Sequence, residues 1–147
     1  MTETAIVNAR ARVRQLTDLT TRLTARLVEE SNAFESRRPQ DAADTLGETQ
    51  QLANVYRRES AQVKADPSVL AAAPAADRMA LVKATEAFEA VLSRHARSVE
   101  AARIVSEGLV RTIAAEVANQ RGAPSAYGAS GQANAGDGRA VAFNRTA

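Results

Sequence analysis

Apolar side chains recur at spacings of three and four along the first part of the chain, and this rhythm limits the possible fold more than any other feature. From Ile6 the line passes through Ala9, Val13, Leu16, Thr20, Leu23, Leu27, Glu30 and Phe34, a heptad stripe kept up for about four repeats. Leu19 and Val28 widen it, while Arg10, Arg12, Arg14, Arg22 and Arg26 fall mostly on other faces, as in a helix docked along one side. Pro39 cannot continue that helix, because it lacks a backbone N–H and its ring crowds the preceding turn. The first helix is therefore expected over residues 4–37, roughly 50 Å at 1.5 Å per residue.

Pro39 suits the first turn of a following helix, and Asp41 and Asp44 add negative charge near its N-terminus. The apolar line there is Ala42 or Ala43, Leu46, Leu52 or Ala53, Val55 or Tyr56, and Val63, which predicts a helix over 40–65 that stops before Asp66-Pro67. So short a connection reverses the chain, and the first two helices are expected to pair as an antiparallel hairpin. Pro67 and Pro74 bracket a connector with room for one or two helical turns. The third pattern is the longest: Leu81, Thr85, Phe88, Leu92, His95, Val99, Ala102, Ser106, Leu109 and Ile113, flanked by Val91, Val105 and Val117 and interrupted at Gly108. A helix over 75–120 reaches about 70 Å. It outruns either arm of the hairpin, so part of its stripe is expected to lack a partner within the chain.

Composition settles the fold class. Of 66 hydrophobic residues 33 are alanine, and the large rings are 3 Phe and 2 Tyr with no Trp, which excludes a thick core with aromatic anchors. Thirteen Val and 3 Ile are too few for a sheet, whereas Ala, Leu, Arg and Glu favour helix. The expected architecture is all-α, a helical hairpin plus one long helix in an elongated, coiled-coil-like three-helix bundle over 4–121. At Gly122 the character changes: the last 26 residues hold 5 of the 7 glycines. Such a segment buries too little apolar area to offset its ordering entropy, so 122–147 is expected to be a flexible tail, with Tyr127, Val141 and Phe143 as apolar islands.

Little in the chain points to catalysis. Without cysteine there is no disulfide, thiolate nucleophile or Cys-based zinc site. The single histidine, His95, leaves no His–His metal pair. Glu29 with Glu30, or Glu86 with Glu89, could pair in a bundle as di-iron ligands only alongside Glu-x-x-His motifs on facing helices, and Leu92 stands three residues before His95. As a phosphoacceptor His95 lacks the acidic neighbour of histidine-kinase dimerisation helices, since Ala96 follows it; a buried or interfacial histidine with one hydrogen bond is expected instead. No catalytic residue, metal or cofactor is expected. The formal charge is +2, and Arg37-Arg38 and Arg57-Arg58 are interleaved with acids and lack aromatic stacking partners, so nucleic acid is not an expected partner. No apolar run approaches the roughly 20 residues that span a bilayer, and the N-terminus lacks a basic segment followed by an apolar one. Neither membrane insertion nor a secretion leader is expected. Binding remains: an apolar stripe filled by an amphipathic helix of another chain, or by a second copy in a homodimer.

Taken in order, several segments carry a resemblance: Leu23-x3-Leu27-x2-Glu30-x2-Ala33, the turn Pro39-Gln40-Asp41, Leu46, Leu52-x3-Tyr56-x2-Glu59, the run from Val105 through Gly108 and Leu109 to Ala114, and Tyr127-Gly128-x2-Gly131-Gln132. Together they resemble the FlgN-type flagellar export chaperones, in a divergent alphaproteobacterial form. The resemblance implies a cytoplasmic chaperone of flagellar type III export, without an ATP site. Such proteins bind the C-terminal helical segments of hook-filament junction (hook-associated) proteins and deliver them to the export gate. It also implies a client surface on the C-terminal half, here Val99, Ala102, Val105, Leu109, Ile113 and Val117, and an export-gate contact at Tyr127. The arginine-rich first hairpin and the tail after Gly131 depart from the family pattern. The competing expectation is a homodimeric coiled-coil adaptor, structural or regulatory, without an export client.

Overall fold

The computed structural model describes residues 2–125, with side chains as far as Gly122. The described residues form helices joined by short turns, and no strand occurs among them. The chain divides into two compact units, Met1–Glu100 and Ala101–Ala147.

Helix α1 (Glu3–Glu35) starts beneath Thr2, whose hydroxyl oxygen accepts the Ala5 N–H at 3.2 Å, with Glu3 in the first turn. Both features satisfy or complement the free N–H groups of a helix start. It ends two residues earlier than the stripe suggests. Arg37 adopts φ 59°; its N–H reaches the Phe34 carbonyl at 3.1 Å, and the Arg38 N–H reaches the Ala33 carbonyl at 2.8 Å. This pair of bonds is the Schellman closure, in which the left-handed position usually belongs to glycine.

The helix expected over 40–65 is in fact two, α2 (Pro39–Ala43) and α3 (Leu46–Ala65). Between them the Thr45 N–H and hydroxyl both turn back to the Ala42 carbonyl, at 3.3 and 3.4 Å, a competition with helix that short polar side chains favour. The break also shifts the helix face: Leu46 is exposed and Thr49 buried. In the connector, Asp66 accepts from the Ser68 backbone at 3.2 Å and from its hydroxyl, starting α4 (Ser68–Ala72). Helix α5 (Ala75–Ser125) follows at once. Its Arg78 donates back to the carbonyls of Leu70, Ala71 and Ala73 at 3.0–3.3 Å, which serves the free C-terminal carbonyls of α4.

In the first unit α1 is shared by both neighbours. Arg12 meets Gln62 and Arg26 meets Glu48 at 2.6 Å, so α1 and α3 are antiparallel as expected. Arg14 meets Asp77 at 2.7 Å near the start of α5, and Glu35 meets Arg94 further along it, so α1 and α5 run parallel. One core cluster joins Ala9, Val13 and Ala73 to Val69, Leu70, Ala72 and Leu81. The other joins Leu23, Leu27 and Phe88 to Leu52, Ala53, Tyr56 and Val91. The Tyr56 and Phe88 rings lie 5.1 Å apart; burial, and then the charge of Glu89, push the Tyr56 phenol above its ordinary range. Along α5 the inward line includes Phe88 and Ser98, while Leu92 and Val99, assigned to the stripe by spacing, are exposed. Ser98 goes inward because its hydroxyl donates to Glu35 at 2.9 Å. The described residues of the second unit all lie on α5.

Candidate interaction face on α5

Within the second unit, Ala102, Leu109, Ile113 and Val117 are seven, four and four residues apart, which places them on one face of the helix. Val105 stands at its shoulder. Relative exposure is 64% at Val105, 58% at Leu109 and 54% at Ile113, while Ala102 and Val117 are half-buried. Ile104 and Val110 are also exposed and were not part of the expected set; they fall off the three-and-four rhythm, so spacing alone does not select them. In the first unit Val99 is exposed as well. Tyr127 lies outside the described residues.

Polar groups of this segment make contacts along the helix. Arg103 pairs with Glu107 at 2.5 Å, Gln120 donates to Glu116 at 3.3 Å, and the Thr112 hydroxyl donates to the Gly108 carbonyl at 2.9 Å. The aliphatic side chains have no such outlet. Burying one of them completely is worth about 1.5–3 kcal/mol, so a face with Leu109 and Ile113 at its centre can hold an amphipathic partner through apolar area alone. A Cβ at Gly108 would meet nothing within 4 Å, so no close approach demands glycine there.

His95 is half-buried, with Nε2 3.7 Å from Glu30 Oε1 and its ring set edge-on to Phe34. The hydrogen bond expected of it is not made at Nε2. Of the four acids weighed as metal ligands, Glu30 is the one brought to His95; among the described residues no group of three His, Asp or Glu side chains is placed to hold a metal ion. A depression of about 590 Å³ lies between α1 and α3, with Leu19, Arg22, Arg26, Glu48, Leu52 and Val55 in its lining, and Arg26 and Glu48 are ion-paired there. No helix among the described residues is long and apolar enough to cross a membrane.

These features define an all-α helical-bundle protein with an exposed aliphatic face on its last helix. Its sequence is 49% identical over 146 residues to the flagellar basal-body protein FlbY of Caulobacter vibrioides, covering 97% of this chain and 98% of that relative. The chain belongs to the FlbY family. No protein-family model matches it, and no solved structure matches it.

Proposed function

We propose that the chain serves flagellum assembly as an export chaperone of FlgN type, acting in the cytoplasm. Its α5 face, centred on Leu109 and Ile113 and extended by Ala102, Val105, Val117 and Val99, takes the C-terminal helical segment of a hook-filament junction protein. The single observation that carries this reading is the exposure of Val105, Leu109 and Ile113 on a stretch of α5 where Arg103 pairs with Glu107 and the Thr112 hydroxyl with the Gly108 carbonyl. The flagellar name of the FlbY relative supports the setting. Binding by apolar contact in a helix-in-groove mode is reversible and needs no cofactor, as delivery of a client requires. In this reading Tyr127 touches the export gate.

The test is co-purification of tagged full-length protein with hook-filament junction proteins. The expected result is a 1:1 complex that Leu109→Asp or Ile113→Asp abolishes, while Tyr127→Ala keeps the client and impairs its secretion. Undiminished capture by both aspartate variants moves the client site elsewhere. The relative's name as a basal-body protein favours a second reading, in which the same face joins the chain to another copy or to a component of the basal body. A stable dimer that captures no junction protein selects that reading.

A further inference from the structure

Leu109 and Ile113 stand exposed on α5, and Glu116, three residues beyond Ile113 and seven beyond Leu109, shares their side of the helix. Glu116 is exposed too and accepts from Gln120 at 3.3 Å; a carboxylate has room for further donors. Followed back from its end, the helix therefore presents an acid and then two large aliphatic side chains, over about 10 Å at 1.5 Å per residue.

A matching order stands in the sequence outside the described residues. Arg139 is followed by Val141 and Phe143, with Ala140 and Ala142 between them, and neither the client face nor the Tyr127 contact makes use of these three. In an extended chain alternate side chains fall on one side, and four residues span about 13 Å. A segment returning along α5 in that form meets Glu116 first, then Ile113, then Leu109. The guanidinium then reaches the carboxylate, and the valine and phenylalanine reach the aliphatic pair. The connection is long enough: 13 residues, 126–138, separate Ser125 at the end of α5 from Arg139. They reach up to about 43 Å, whereas Glu116 lies about 14 Å back along the helix. Gly128, Gly131, Gly136 and Gly138 fall in this stretch and no proline does, so the backbone is free to turn. A flexible tether of this length holds its segment at roughly millimolar local concentration, which a second copy or a free partner has to outcompete.

We propose that segment 139–143 of the same chain occupies the Leu109 and Ile113 face and leaves it before a partner binds. The inference rests on the reading of that face as a docking surface and adds the control of access to it. Val141 and Phe143 supply the apolar area, and Arg139 on Glu116 sets the register.

The chain has no cysteine, so Thr146→Cys gives the full chain a single attachment point for a nitroxide. The label is expected to broaden the methyl NMR signals of Leu109 and Ile113, and adding Val141→Ser and Phe143→Ser is expected to restore them. A labelled chain mixed with an unlabelled, isotope-enriched copy is expected to leave the enriched signals sharp. Absence of broadening, or equal broadening with and without the two serines, overturns the proposal. Broadening in the mixed sample as strong as within one chain also overturns it, and assigns the face to the segment of a second copy. Co-purification separates this proposal from the reading beneath it: the two-serine chain is expected to capture more hook-filament junction protein than the parent. Equal capture overturns the control of access and leaves the docking reading standing, whereas no capture by either chain, with broadening as expected, overturns the docking reading alone.

Discussion

Arg94 grips Glu35 with two bonds, Nε to Oε1 at 3.0 Å and Nη2 to Oε2 at 2.7 Å, so the last turn of α1 is tied to α5 by a planar fork that lysine cannot reproduce. The Arg94 bond foremost, then that from Ser98, hold the Glu35 carboxyl below the usual carboxylate range against a smaller opposing effect of desolvation. A carboxyl so depressed stabilises the fold above its unfolded range, and the contribution is lost as pH falls through its folded value. Between neutral pH and about pH 3, Glu35→Gln should therefore lose less of its Tm than the parent; melts followed by circular dichroism at the two pH values check this.

Among the described residues Phe88 is the one aromatic side chain in the buried core, meeting Leu23 and Leu27 of α1 and Tyr56 of α3. Phe88→Ala should cost about 3 kcal/mol in urea unfolding. Loss of the Tyr56–Phe88 ring contact makes Tyr56 fluorescence a second readout.

Arg37 holds a left-handed conformation that glycine adopts without strain. Arg37→Gly is expected to raise stability by about 0.5–1 kcal/mol, with the Schellman bonds intact. A loss of stability in urea unfolding would show that the arginine side chain contributes more than its backbone strain costs.

Gly108 lies inside α5 with open space where a Cβ would stand. Gly108→Ala should increase helical ellipticity and stabilise the helix by about 1 kcal/mol. Leu109→Asp, at an exposed position, should change stability by no more than about 0.5 kcal/mol, so that its loss of partner capture is not a folding defect.

The long helices were legible because their stripes continue for many turns and prolines stand at their ends. What escaped the periodicity depends on contacts made far along the chain or on backbone conformations without their usual residue. Arg37 occupies a position that usually belongs to glycine, so Pro39 alone marked the end of α1, which was expected two residues too late. Ser98 looks like a surface residue until Glu35 is placed beside it, and its inward turn leaves Val99 exposed. The Thr45 break shifts α3 by a partial turn, which is why Thr49 and not Leu46 is buried. At the candidate face the rhythm selected Leu109 and Ile113, both exposed, and missed Ile104 and Val110, which exposure alone adds.

The parallel run of α1 and α5 also bears on how the bundle assembles. Arg26 and Glu48 are 22 residues apart in sequence, and Arg78 reaches carbonyls only 5–8 residues back. The α1–α5 seam instead joins residues 59–63 positions apart, as in Arg94–Glu35 and Arg14–Asp77. Closing so long a loop carries the larger entropic cost, so the hairpin and the connector zip up early and the seam sets the folding rate. In native-state hydrogen exchange, the amides lining that seam are expected to open ahead of those between α1 and α3.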